Sequence, residues 1–365
     1  MSTETSKDRP TELHDVADIG ADRPTVIVTG SAGLLGSAVC SRLVDAGYFV
    51  FGFDRAGPGE PPKGPHVRDV EFDITNYANV RWAMEDVRRA RGDHIASVVH
   101  LAAYYDFSGE ESPLYEKVTV EGTDRLLNHL QSFELEQFVF SSTMLVHKAV
   151  KPGERIDEDS PLEGKWAYPK SKIRTENLIT TGHPQVRSVL LRIAGVYDEM
   201  GRQPTLAQQV KRIRDKDLQG HLFPADTAAG QSAVHLDDAV DAIVRTVERR
   251  ASIPPGTPIL IGEPDPPSYA DLQKQLGELL HGKEWATYHI PAWFAKAGAA
   301  VQDATIGSFI KPFMVDMAGD HYALDVNRAR DLLGWEPRHR LSDFLPHMVK
   351  IMLRSPEEWD KENDL

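Results

Sequence analysis

The stretch "TVIVTGSAGLLGSAVCSRLVDAGYFVFGFDR", Thr25 to Arg55, decides the fold. Its opening apolar run, 25–30, reads as a strand covered on both faces. Gly30, Gly33 and Gly36 follow at spacings of three, and residues 36–47 then carry a helical pattern. A second apolar run, 49–54, ends on Asp54. Strand, glycine turn, helix and strand in this order make a dinucleotide site. The first glycine permits the sharp turn, the second lets the main chain approach a pyrophosphate, and the third lets helix and strand pack closely. The phosphates then lie at the positive end of the helix. Asp54, 18 residues past Gly36, stands where a carboxylate accepts hydrogen bonds from the adenosine ribose. The same carboxylate repels a ribose phosphate, which favours NAD over NADP. Arg55 acts in the opposite sense, because a guanidinium there could hold that phosphate.

Outward from this stretch, short apolar runs alternate with amphipathic ones. The runs are 69–74, 97–103, 137–143 and 188–197, and helical patterns lie between them, for example over 113–131. Parallel neighbours need helical crossovers, so the rhythm predicts an α/β fold, a doubly wound parallel sheet (extended Rossmann). After Tyr197 the rhythm changes, and a smaller C-terminal substrate-binding lobe is expected. The boundaries read as a disordered tail over 1–23, a Rossmann domain over 24–197 with 232–262 returning to it, a lobe over 198–231 and 263–354, and a mobile tail over 355–365.

Composition bounds the partners. The chain has 365 residues, 41 basic against 55 acidic, and a net charge of −14 with no concentrated basic patch. Such a surface repels a phosphate backbone, so no nucleic-acid partner is expected. A single cysteine, Cys40, permits neither an internal disulfide nor a thiolate metal cluster, and reads as a buried structural thiol. No apolar run is long enough to span a bilayer, and residues 1–24 are polar and acidic without an apolar leader core. The expectation is a soluble cytoplasmic protein with a small-molecule substrate and no membrane partner.

"WAYPKSKIRTENL" places Tyr168 and Lys172 four apart, on one face of a helix. A phenol is a poor base near neutral pH, and a nearby ammonium favours its phenolate, so this pair would make Tyr168 a proton acceptor or donor. Upstream, "FVFSSTMLVH" sets Thr143 at the carboxyl end of a strand, the edge at which ligands bind in such sheets.

Together these motifs resemble the extended short-chain dehydrogenase/reductase superfamily, in its NAD-dependent epimerase/dehydratase branch. The matching features are "TGSAGLLG" (29–36), "FDI" (72–74), "HLAA" (100–103), "SST" (141–143), "YPKSK" (168–172), "VHLDDAVDAI" (234–243) and "DVNRARDLLGWEPRHRL" (325–341). The resemblance implies that Tyr168 is the catalytic acid/base, Lys172 its tuner and ribose anchor, and Thr143 the substrate-hydroxyl partner. It implies cofactor contacts from Gly30, Gly33, Leu34, Leu35, Gly36, Asp54, Arg55, Asp73, Ile74, Leu101, Ala102 and Ala103. It also implies a homodimer formed through helices over 113–131 and 167–181.

The departures from the family pattern narrow the reaction. Met144 and Leu145 replace the Asp-Glu pair of 4,6-dehydratases, which argues against dehydration. Gly195 stands where nucleotide-sugar enzymes carry a substrate-binding asparagine, and Thr119 replaces another usual asparagine. His147 and Lys148 replace Tyr-Gly, and His147 and Tyr105 are candidate substrate contacts. Asp237 and Asp238 read as caps of a helix starting near Ala239 rather than a metal pair, and His100 as a hydrogen-bonded core histidine. The implied activity is an NAD-dependent epimerase or oxidoreductase acting on a secondary alcohol of a sugar or nucleotide-sugar. The alternatives are a dehydrogenase or ketoreductase of a non-nucleotide hydroxy compound, and a non-catalytic cofactor sensor.

Overall fold

The computed structural model describes residues 22–55, 64–106, 109–291, 293, 315 and 317–365. The expected N-terminal tail lies, through residue 21, outside the described residues. Seven strands form the main sheet: β1 (Thr25–Thr29), β2 (Phe49–Asp54), β3 (Val67–Glu71), β4 (Ser97–His100), β5 (Phe138–Thr143), β6 (Ser188–Ile193) and, later in the chain, β9 (Thr257–Ile261). Their spatial order is β9-β6-β5-β4-β1-β2-β3, and every pairing is parallel. The chain order reverses between β1 and β4, so a crevice opens beyond their carboxyl ends. The register sets Thr29 level with Phe53 on one side and His100 on the other, and these residues mark its rim.

Strand alternation splits the apolar residues into two cores. Val26, Val28, Val50, Val99, Val139 and Leu191 face one side, with Val39, Cys40 and Leu43 of helix α1 (Leu34–Asp45). Ile27, Phe51, Val98, Phe138, Phe140 and Leu190 face the other. There they pack on helices α2 (Tyr77–Arg91) and α3 (Glu121–Leu130). Cys40 is buried, and burial pushes its thiol up to about 12, so it stays protonated.

The helix expected over 113–131 begins as a wide π-helical turn, Tyr115–Val120, before α3. Helix α4 (Ala167–Asn177) is likewise continued by a π turn, Leu178–Gly182. The strand expected over 188–197 breaks at Ala194. Its second part, β7 (Gly195–Tyr197), leaves the main sheet and pairs with β8 (Ala233–His235). Helix α6 (Leu236–Glu248) follows β8 and leads to β9 at the sheet edge.

A third core gathers the lobe, with Tyr197, Leu206, Val210, Leu272, Leu276, Met348 and Trp359 at its centre. It joins helices α5 (Pro204–Arg214), α7 (Tyr269–His281) and α9 (Leu341–Arg354). Helix α8 (Asn327–Leu333) packs instead on the main body through Ala329 and Leu333.

The terminal stretch departs from expectation. Residues expected to be mobile form helix α10 (Pro356–Glu362), whose Trp359 is fully buried. Arg214 reaches over this ring and pairs with Asp360, and Gly201 lies against it. The aspartates of 237–238 also differ from expectation. Helix α6 starts at Leu236, and the His235 side chain caps it by accepting the N–H of Asp237. Asp238 is buried in the first turn and accepts the N–H groups of Arg338 and His339, tying the segment before α9 to the sheet domain. Among the described residues, no helix is long and apolar enough to cross a membrane.

Candidate active site

The glycine turn is built as its spacing requires. Gly30 adopts φ +73°, and a Cβ on it would lie 3.0 Å from the Ala102 nitrogen. A Cβ on Gly36 would lie 2.0 Å from the Gly30 carbonyl, inside any tolerable contact. Leu101 and Ala102 are drawn against the turn by the Thr29 carbonyl and hydroxyl, which accept their N–H groups at 3.2 and 3.1 Å. Helix α1 starts with no side-chain cap and no acidic residue in its first turn. The buried Ser31 hydroxyl beside it has no partner. Free N–H groups, an unpartnered hydroxyl and a wall that excludes any Cβ fit a dinucleotide phosphate.

Asp54 sits at the end of β2. Its carboxylate accepts the Ala32 N–H at 2.8 Å and the Arg55 N–H at 2.7 Å, which brings it to the turn. Asp73 holds Thr75 through its carboxylate, and Ile74 is buried against Gly122 of α3. Ala103 follows Ala102 on the same extended segment.

Thr143 ends β5, and Tyr168 stands on the first turn of α4; both side chains line one cavity, where donation from the Thr143 hydroxyl favours the phenolate. Lys172 lies one turn on, and its Nζ donates to the Ser141 carbonyl at 2.6 Å while standing 5.7 Å from the Tyr168 ring centre. Thr143 and Tyr168 therefore meet at the carboxyl edge of β5, beside Leu34 and Leu35, with Lys172 tied to the same strand through Ser141. Their protonation differs from the expected one. Burial pushes the Tyr168 phenol up, against the lowering by Thr143. Burial also pulls the Lys172 ammonium down to about 7, against the opposing charge of Glu176. At the phenol, desolvation thus outweighs the stabilisation of the phenolate by Thr143.

Glu176 and its partner Arg192 form a buried pair beside the site that motif reading passed over, although Glu176 follows Lys172 by one more turn. Both are buried and bonded at 2.7 Å, and Ser142 donates to the same carboxylate.

Tyr105 lines the site, its ring edge-on to Tyr168 at 5.0 Å. His147 does not line it. This candidate is fully buried behind β6, with Nδ1 against the Ser160 carbonyl and Nε2 against Arg192 at 3.0 Å. Burial lowers its pKa to about 4. His100 is the core residue expected. Thr123 gives its proton to the Thr119 carbonyl, so His100 Nε2 donates to Thr123 and Nδ1 accepts from Thr29. Burial holds His100 neutral, with a pKa near 3. Thr119, in the asparagine's place, accepts the Tyr104 N–H. His235, Asp237 and His339 place ligand-type atoms within 4.8 Å of one another, away from this site. The two imidazoles lie tilted to each other there, their ring centres 4.2 Å apart.

A cavity of about 350 Å³ extends from Thr143 and Tyr168 into the lobe. Its far wall, which the motifs did not reveal, includes Gln203, Thr205, Leu206, Gln209, Tyr269 and Leu272.

The model of the NAD dependent epimerase/dehydratase family matches residues 26–262. A 3 beta-hydroxysteroid dehydrogenase/Delta 5-->4-isomerase of Mycobacterium tuberculosis is 25% identical, over 94% of this chain and 95% of that protein. A UDP-glucose 4-epimerase of Rhizobium leguminosarum bv. trifolii is 26% identical, over 88% and 95%. The UDP-glucuronic acid 4-epimerase from Bacillus cereus, solved with UDP-glucuronic acid and NAD, shares the fold. Its TM-score is 0.68 at 20% identity, covering 90% of this chain and 99% of that one. With its glycine turn, its threonine, tyrosine and lysine at one strand edge, and a family match over most of its length, the chain belongs to the NAD-dependent epimerase/dehydratase family.

Proposed function

We propose that this NAD-dependent enzyme oxidises a secondary alcohol, with Tyr168 taking the hydroxyl proton and Thr143 holding the oxygen. The observation that supports this reading is the meeting of the Thr143 hydroxyl, the Tyr168 phenol and the Lys172 ammonium at the end of β5, next to the glycine turn. Bound NAD supplies the hydride acceptor. Gly30, Gly33 and Gly36 would cradle its phosphates, Asp54 and Arg55 would hold its adenosine ribose, and Asp73, Ile74 and residues 101–103 would flank it. Lys172 would orient the other ribose and hold the phenol ready. The carbinol loses a hydride from carbon and a proton from oxygen, and a ketone results. If the ketone departs, the net reaction is dehydrogenation. If it is re-reduced on its other face, the net reaction is epimerisation without consumption of cofactor.

Tyr168→Phe is the test. Turnover of an accepted alcohol should fall by about 10²–10⁴-fold while NAD affinity stays within a few fold. Unchanged turnover removes Tyr168 from the chemistry. NADH absorbance separates the two outcomes, since stoichiometric NADH marks dehydrogenation and product without NADH marks epimerisation.

The chain is further read as a cytoplasmic homodimer. The Tyr115–Leu130 and Ala167–Gly182 segments present a joint surface bridged by the Glu116–Arg174 pair at 3.0 Å. Light scattering that gives a monomer mass at working concentration removes the dimer.

A further inference from the structure

Past the catalytic trio, the cavity is walled largely by apolar side chains, among them Met144, Leu145, Leu206, Tyr269, Leu272 and Met317. Among the described lining residues one carries a charge, Arg202. Its guanidinium is already engaged, since Asp198 takes Nε at 2.8 Å and Nη2 at 2.6 Å, and Glu362 lies 3.3 Å from Nη1. A ligand carrying a diphosphate would bring its negative charges into this wall without a free cation among the described residues to meet them. Burying an unpaired charge is among the costliest steps in binding.

Gln203 gives the cavity one oriented polar group. Its Oε1 accepts the Leu206 N–H at 2.6 Å and the Thr205 hydroxyl at 2.9 Å, so the oxygen is committed to the start of α5. The backbone donor fixes which end of the amide is oxygen. Nε2 then points the other way, without a protein acceptor among the described residues, over Gly195. A Cβ on Gly195 would lie 3.1 Å from it. The absence of a side chain at Gly195 therefore leaves room for this amide.

We propose that the cavity takes an uncharged, predominantly apolar secondary alcohol, and that Gln203 Nε2 donates a hydrogen bond to a second oxygen on it. The reacting end rests on the oxidation reading above, whereas the apolar body and the acceptor rest on the cavity wall. A volume of about 350 Å³ suits a small rigid skeleton.

The test uses the full chain saturated with NAD and three probes: a hydroxysteroid bearing a distal ring ketone, the same hydroxysteroid without the ketone, and UDP-glucose. Calorimetry gives affinity, and NADH absorbance and product analysis give turnover. The expected result is that the ketosteroid binds about tenfold or more tighter than UDP-glucose, and about tenfold tighter than its ketone-free congener. Gln203→Glu keeps the capping oxygen and removes the donor, so the ratio between the two congeners should collapse to about one. Tighter binding of UDP-glucose, no binding of either steroid, or an unchanged ratio in Gln203→Glu overturns the proposal. Tyr168-dependent turnover of UDP-glucose alone would sink it and leave the oxidation reading intact. Steroid binding with the expected ratio and no chemical conversion would uphold the cavity and sink the oxidation reading.

Discussion

Arg192 and Glu176 hold each other in the buried interior, and each bonds further neighbours there. The guanidinium donates to both Glu176 oxygens, to the Glu158 carbonyl and to His147. The carboxylate in turn supports the charge on Lys172 against burial. Arg192→Met would strand that carboxylate, and an uncompensated buried charge costs about 3–5 kcal/mol. Urea denaturation should show a loss of this size, and Arg192→Met with Glu176→Gln should recover much of it. A single variant as stable as the parent would show the pair to be dispensable. Sequence alone hides this network, because Glu176 reads as one more polar residue on α4. His147 misleads for a related reason: its position in the chain points to the substrate mouth, but a guanidinium behind β6 takes its free nitrogen.

Among the elements, the joint between sheet and lobe is pinned by Glu263, two residues past β9. Its carboxylate accepts the Leu341 N–H that opens α9 and the hydroxyl of Tyr197, which ends β7. Burial pushes this carboxyl up to about 7, against the lowering by these donors. Its folded pKa lies above its unfolded one, so the native state binds the extra proton between about pH 4.5 and 7. Stability from this group is complete below pH 4.5 and is lost as pH rises through 7. Glu263→Gln keeps a carbonyl acceptor and removes the ionisation. Its melting temperature should exceed the parent's at pH 8.5 and match it near pH 5. A gap of the same size at both pH values would mean that this carboxyl does not ionise on the folded chain's account.

At the scale of the whole molecule, the third core decides whether the lobe stands. Trp359 closes it from the chain's last helix. Trp359→Ala should cost about 3–5 kcal/mol, read as a lower melting temperature. Substrate KM should rise more than the NAD dissociation constant, because the cofactor half has its own two cores. Equal loss of both would show one cooperative core instead of three. How much was legible follows the same division. The parallel sheet and the placing of Thr143, Tyr168 and Lys172 near one strand edge were readable, because double burial leaves continuous apolar runs and the motifs carry fixed residue types at fixed spacings. The lobe's details were not. Residues 355–365 carry mostly charged side chains around a single buried tryptophan, so local composition suggests a tail while one long-range contact makes a helix. Asp238 resembles a cap in sequence because its partners, the N–H groups of Arg338 and His339, lie about a hundred residues on.

The far wall of the cavity, at Leu206 and Leu272, comes from a packing nucleus separate from the one beneath the glycine turn. Drift at Leu206, Tyr269 or Leu272 can therefore re-address the protein to a new molecule while its electron-transfer apparatus is inherited untouched. A scaffold partitioned in this way diversifies by exchanging one half.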